Sequence, residues 1–203
     1  MQDLIKQEQF EMEVLDRLKS GRFLEKLVFT GGTMLRLCYG LNRYSADLDF
    51  WIIKKIDINK LFKEMKKYLS EYYTIKDSMN KFYTIVIEIK KTGFVRSLKI
   101  EIRKQKRKIK TEQSIAYSQN SNTQVLLKTA MLEEMMKSKI EAFLSRKEIR
   151  DIFDIEFLFK KGVPLKTSSE MLRRIIKEID SLTKKDYTVK LGSLLSKEER
   201  EYY

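Results

Sequence analysis

Phe29-Thr30-Gly31-Gly32-Thr33 and Asp47-Leu48-Asp49-Phe50 are the two stretches from which the rest of this sequence is read. Leu27-Val28-Phe29 is the short apolar run of a buried strand. Thr33 to Tyr39 has the pattern of a helix, closed by Gly40 at its C-terminal end. Gly31 and Gly32 therefore fall at a strand-to-helix turn. Without side chains there, backbone N–H groups come close to a phosphate, and the helix N-terminus adds partial positive charge. Thr33 is placed as the N-cap. Asp47 to Ile53 reads as a strand. Residues two apart on a strand share a face, so Asp47 and Asp49 project together, about 6–7 Å apart at their attachment points, while Leu48, Phe50 and Ile52 face the other way. Two like charges at that spacing repel, and a divalent cation between them reverses the sign of that energy. Taken singly, Asp-x-Asp also describes a solvated strand edge, and Gly-Gly a plain tight turn. Together they form a phosphate cradle ahead of a carboxylate pair. Arg43 and Ser45, just before the pair, supply a cation and a hydroxyl suited to phosphate, or ordinary loop surface.

Composition bounds the chemistry. The chain has 203 residues, enough for one large domain or two small ones. It contains no histidine, which excludes a Ser-His-Asp triad, a Cys-His pair and any histidine-ligated zinc. Carboxylates, hydroxyls, lysines and arginines must do any catalysis. Its single cysteine, Cys38, excludes an internal disulfide, falls within the Thr33–Tyr39 helix and reads as a packing residue. No apolar run reaches the roughly 20 residues that span a bilayer, and the first residues lack the apolar stretch of a signal peptide. A cytoplasmic protein with no membrane partner is the expectation. Lys+Arg 42 against Asp+Glu 29 leaves a net charge of +13, a surface field that attracts nucleic acid or nucleotides.

Outward from the two stretches, residues near 3–19 form an amphipathic helix and Ile58 to Leu69 another. Phe82–Ile89 and Val95–Arg103, joined by a turn with Gly93, read as an antiparallel hairpin. Residues 104–122 are polar and basic and read as a linker. Beyond them the sequence predicts helices at about 123–145, 147–161 and 167–183, with Gly162 and Pro164 at one break. The expected plan is a core over residues 1–110 and a helical region over 111–203.

Gly31-Gly32-Thr33, Leu35, Tyr39-Gly40, Arg43, Ser45 and Asp47-Leu48-Asp49-Phe50 together resemble the signature of the AbiEii/AbiGii-type nucleotidyltransferase toxins. These belong to the DNA-polymerase-β-like nucleotidyltransferase superfamily, with the MenT-type toxins as relatives. The resemblance is dense over residues 29–53, thins in the middle and returns near 139–158. It implies an α+β fold, a polymerase-β-like core with a mixed sheet followed by a helical C-terminal region. It also implies a third carboxylate on a later strand. Glu101, in Leu98-Lys99-Ile100-Glu101-Ile102-Arg103, matches that place, and Glu88, in Ile87-Glu88-Ile89, is the alternative with the same alternation.

From the resemblance follow further expectations. Asp47, Asp49 and Glu101 hold two Mg²⁺ ions, or Mn²⁺. Gly31, Gly32, Thr33, Arg43 and Ser45 bind an NTP, Lys139 contacts its triphosphate and Asp151 closes the site. Arg150 and Asp154 lie four apart on a helix and are placed to pair with each other. The implied activity moves a nucleotide to an acceptor hydroxyl on RNA, with tRNA the leading candidate, in the toxin of a toxin–antitoxin or phage-defence system restrained by a cognate antitoxin. Two other readings stand beside it: the same core acting on a protein or small molecule, and a non-catalytic basic RNA-binding protein. The basic run Arg103-Lys104-Gln105-Lys106-Arg107-Lys108 follows the Glu101 strand and would suit an RNA backbone. Tyr72, Tyr73, Phe82 and Tyr83 either stack on bases or fill the core.

Overall fold

The computed structural model describes residues 2–105 and 108–202, so Lys106 and Arg107 of the basic run lie outside the described residues. The chain divides into two compact units. The first is the chain up to Gly40 with Tyr44–Ala130, the second Leu41–Arg43 with the chain from Met131 onward.

The first unit is built on one seven-stranded sheet. Its elements in chain order are α1 (Gln2–Ser20), a 3-10 turn (Phe23–Glu25), β1 (Leu27–Thr30), α2 (Gly31–Tyr39), β2 (Asp47–Ile52), α3 (Ile58–Ser70), β3 (Thr74–Asn80), β4 (Thr84–Lys90), β5 (Leu98–Arg103), β6 (Thr111–Ala116) and β7 (Val125–Ala130). The strands lie in the order β3-β4-β5-β2-β1-β7-β6. β2–β5 and β1–β7 are parallel and the other pairs antiparallel, so the sheet is mixed. Alternation makes one face apolar: Leu48, Phe50 and Ile52 of β2, Leu98, Ile100 and Ile102 of β5, and Ile85, Ile87 and Ile89 of β4 are all buried. Helices α1 and α3 contact β5 and β4. Their own stripes, Phe10, Val14, Leu15 and Leu18 on α1 and Leu61, Met65 and Leu69 on α3, are buried too. Asp57 starts α3 by accepting the Lys60 N–H at 2.9 Å.

Three strands depart from the sequence reading. β6 lies in the expected linker and β7 where a helix was expected, because Val125, Leu127 and Thr129 alternate inward between β1 and β6. The exposed Leu126 between them blurred that period-2 pattern into a helical one. β3 is a polar edge strand organised by its ladder with β4 and its contacts with α3. Consequently the first unit runs to Ala130, twenty residues past the expected boundary at 110.

The second unit is helical: α4 (Leu132–Arg146), α5 (Ile149–Lys160), α6 (Ser169–Asp180), a π-type segment (Asp186–Leu191), a 3-10 turn (Gly192–Leu194) and α7 (Lys197–Tyr202). Arg43 joins it through a backbone bridge to Leu195. Ser168 caps α6 by accepting the Met171 N–H at 3.2 Å. The apolar face of α6 (Leu172, Ile175, Ile176, Ile179) and α5 line an apolar groove of about 480 Å³.

Within the first unit, α1 buries three polar side chains, Gln7, Glu8 and Glu11. Glu8 accepts from Arg36, Ser118 and Asn120. Both Glu11 carboxylate oxygens are buried without a hydrogen-bond partner. Burial, and behind it the Glu8 carboxylate, push the Glu11 carboxyl well above its usual range; Arg36 opposes this and Asp47 adds to it. A carboxyl raised on folding favours the native state at low pH. That contribution is complete below the unfolded value of about 4.3 and disappears as pH rises toward the folded one, at about 1.4 kcal/mol per pH unit. Glu11→Gln is therefore expected to leave Tm near wild type at acidic pH and to raise it increasingly toward neutrality, read by thermal unfolding in EDTA across a pH series. A Tm difference that does not widen with pH contradicts this account.

Candidate active site

β1 runs straight into α2, and the junction is where a side chain will not fit. Gly31 has φ +82°, and a Cβ built on it would lie 2.3 Å from Asp49 Oδ2 and 2.9 Å from Asp49 Cβ. Both the left-handed backbone and the carboxylate therefore demand glycine. Thr30, extended at φ −147°, occupies the N-cap position but makes no side-chain cap bond. Its hydroxyl instead donates to the Asp49 carbonyl at 3.1 Å, and that of Thr33 to the Asp47 carbonyl at 2.6 Å. Thr33 is thus not the N-cap that the sequence predicts. It is fully buried, and its hydroxyl ties α2 to β2. The two threonines clamp β2 at its two aspartates.

Register sets the candidate third carboxylate, Glu101, beside Asp49. Asp49 pairs with Glu101 across the parallel β2–β5 ladder, and Glu101 with Val86 of β4. Asp47 pairs with Lys99, which pairs in turn with Glu88. Neighbouring strands lie about 4.8 Å apart, and partners in register point to the same face. Asp47, Asp49 and Glu101 therefore share the face opposite Leu48 and Ile100, and all three are half-buried. Glu88 is two strands from Asp47, with Lys99 between, and its carboxylate accepts from Ser97. Ser45 is half-buried in the connection leading to β2.

Three oxygen donors on adjacent strands have the chemistry of a Mg²⁺ site, a hard cation taken by carboxylates and phosphate oxygens. The bare Cα of Gly31 leaves the Asp49 carboxylate room that any other residue would fill. The donor set fits the ion, although among the described residues no three acidic or thiol side chains stand already converged as a ready cluster.

In the second unit, the residues expected at the nucleotide are engaged with one another. Arg43 is buried and grips Asp154 with two bonds of 2.6 Å. Lys139 Nζ lies 2.6 Å from Asp154 Oδ2 and 3.4 Å from Asp151 Oδ1. Arg146 holds Asp151 through bonds of 2.6 and 2.7 Å. Asp154 thus pairs with Arg43 and Lys139, not with Arg150 as the sequence spacing offered. Burial alone would push the Asp154 carboxyl up; Arg43 and Lys139 outweigh it and hold the group below its usual range.

The family model for the AbiEii nucleotidyl transferase toxin of type IV toxin–antitoxin systems matches residues 13–201. The chain belongs to the AbiEii family. As an AbiEii protein it is a toxin nucleotidyltransferase. Solved structures with the same fold include JHP933 from Helicobacter pylori, at 21% identity over 96% of this chain and 87% of that one, with a TM-score of 0.57. MenT4, a nucleotidyltransferase toxin from Mycobacterium tuberculosis H37Rv, is similar at 16% identity over 96% of this chain and 82% of its own, with a TM-score of 0.51. No curated protein sequence matches the chain.

Sequence reasoning about this AbiEii chain missed Thr30 and Glu11. Thr30 stands beside the glycine pair, and its neighbourhood was the available signal. Glu11, three residues from Glu8 on a charged helix, resembles a surface residue, and only packing buries it. Cys38 is half-buried, and its desolvation pushes the thiol up to about 12. It should resist thiol reagents in the native protein and react once the protein is unfolded in denaturant.

Two substitutions test the site's construction. Gly31→Ala is expected to cost about 1–2 kcal/mol from its backbone alone and to abolish nucleotidyl transfer through the Asp49 clash, read by thermal unfolding and transfer assay together. Asp154→Asn removes the buried carboxylate that Arg43 and Lys139 share, so a loss of about 3–5 kcal/mol is expected in urea unfolding. Because the Asp154 carboxyl is depressed in the fold, its stabilisation is present above an unfolded value near 3.9 and lost as pH falls through the native one.

Proposed function

We propose that this AbiEii toxin is a divalent-metal-dependent enzyme that transfers NMP from an NTP to an acceptor hydroxyl on RNA, with tRNA as the leading acceptor, the hydroxyl losing its proton as it bonds the α-phosphorus and the α–β anhydride breaking to release pyrophosphate. It would act in the cytoplasm within a toxin–antitoxin or phage-defence system, restrained by a cognate antitoxin. The observation carrying this reading is the Asp49–Glu101 register beside Asp47, opposite a glycine that admits nothing larger. Asp47, Asp49 and Glu101 would hold Mg²⁺ or Mn²⁺. When bound, the metal supplies positive charge to the triphosphate and makes the acceptor hydroxyl easier to deprotonate.

The chain's own groups do the rest. Gly31 and Gly32 present backbone N–H groups at the start of α2 toward the phosphates, and the helix dipole favours their charge. Thr30 and Thr33 keep β2, and so both aspartates, from shifting under that load. Glu101 is one methylene longer than its aspartate neighbours and reaches furthest from the sheet. Ser45 stands ready to donate to a phosphate oxygen. Arg43, Lys139 and Asp151 act in this reading mainly by holding the second unit together, since their charges are spent within its buried cluster. The net charge of +13 favours RNA over a small neutral acceptor.

The test is transfer of label from each NTP, with Mg²⁺, to total RNA and to total protein. Asp47→Asn, Asp49→Asn and Glu101→Gln are each expected to lower transfer at least about 100-fold, and EDTA to stop it. Glu88→Gln should retain wild-type rate. Full activity in Glu101→Gln with loss in Glu88→Gln reverses the choice of third carboxylate. Label appearing only on protein rejects RNA as the acceptor.

A further inference from the structure

The turn between β3 and β4, Lys81-Phe82-Tyr83, carries two aromatic rings where none is needed for the core. Phe82 is 83% exposed and Tyr83 74%, against a core in which the other large aromatics of the sheet, Phe29, Phe50 and Trp51, are buried. The two rings meet edge to face, centroids 4.5 Å apart. The backbone beneath them is fixed. Lys81 N–H donates to the Thr84 carbonyl at 2.9 Å, Lys104 N–H to the Tyr83 carbonyl at 2.9 Å, and the Lys104 ammonium to the Lys81 carbonyl. An apolar pair held out in water on a rigid turn is a surface awaiting a partner.

Charge says which partner. Thr84 pairs with Arg103, and Trp51 of β2 pairs with the same residue, so the turn sits at the sheet end where β2 and β5 finish. Lys54 and Lys55, both exposed, follow β2 at that end. Segments 51–56, 80–84 and 102–105 contain Lys54, Lys55, Lys81, Arg103 and Lys104 and no Asp or Glu. Exposed aromatics set among five cations, with Asp57 beyond Lys55 accepting the Lys60 N–H at the start of α3, is a composition that stacks unpaired bases and tracks their phosphates. An acidic protein surface would use the cations but gain little from two bare rings.

Position links the turn to the carboxylates. Val86 is in register with Glu101, and Tyr83 lies three residues before it. At about 3.4 Å per residue, the turn is about 10 Å from the Glu101 row along the strand. We propose that Phe82 and Tyr83 form a base-stacking platform that holds a single-stranded segment of the RNA acceptor and guides it toward Asp49 and Glu101. This rests on the RNA reading above and assigns it a binding surface.

The experiment measures binding of a fluorescent single-stranded RNA of about 12 nucleotides and of its duplex form, at several salt concentrations, alongside the RNA-labelling assay. The Phe82→Ala/Tyr83→Ala double variant is expected to bind the single strand about 100-fold more weakly, roughly tenfold per ring. Its duplex binding, salt slope and Tm should match wild type. Arg103→Gln should instead reduce the salt slope by about 0.7 for each phosphate that the variant no longer neutralises. Tyr83→Trp should keep the affinity, and its fluorescence should be quenched by single-stranded RNA, readable because the chain's one tryptophan, Trp51, is buried. Unchanged single-strand binding in the double variant overturns the platform, as does an equal loss for duplex. A wild type that binds no RNA overturns it together with the RNA reading. Stacking intact but label found only on protein removes RNA as acceptor and leaves the platform standing as a nucleic-acid surface.

Discussion

A glycine pressed against a carboxylate organises the first unit. Gly31 adopts a left-handed backbone so that β1 can turn at once into α2, and the space vacated by its missing side chain is taken by Asp49. The same turn brings Thr30 and Thr33 onto the β2 backbone, where their hydroxyls satisfy the carbonyls of both aspartates. Chain direction, helix placement and carboxylate position are settled by one short segment. Replacing any part of it disturbs the others.

The sheet then converts sequence distance into proximity. β2 and β5 run parallel with Asp49 opposite Glu101, although roughly half a hundred residues, including α3 and two strands, separate them in the chain. Their apolar partners, Leu48, Phe50, Ile100 and Ile102, are buried on the opposite face. That burial locks the register, because a slip of one residue would turn every buried isoleucine to water and every carboxylate inward. The energy that holds the acidic groups together against their mutual repulsion is therefore hydrophobic, supplied from the far side of the sheet.

The second unit follows a different principle. Its centre is ionic: Arg43, Lys139 and Arg146 face Asp151 and Asp154, with the carboxylates fully buried. Arg43 is donated by the short link between α2 and β2, so a residue that sits next to the aspartate motif in sequence serves another unit in space. Ion pairs of this kind add little net stability over an apolar core, yet removing either buried carboxylate leaves the cations around it short of counter-charge.

From residues alone came the glycine turn, the Asp-x-Asp strand, the hairpin that carries Glu101 and the family resemblance, because each is a local pattern: a period of two, a missing side chain, a short spacing. The absence of histidine likewise confined the chemistry to carboxylates and cations before any fold was known. The tertiary structure decided what depends on partners distant in the chain. Alternation within their own strands is identical for Glu101 and Glu88, and strand register is what sets Glu101 beside Asp49 and puts Lys99 between Glu88 and Asp47. β3 and β6 have weak local signals and exist through the ladders that neighbouring strands offer them. Sequence places Lys139 and Arg43 at a nucleotide and gives Glu11 the look of a surface charge, and it is burial, a property of the whole packed chain, that sets the first two in ion pairs with Asp151 and Asp154 and holds the third out of water.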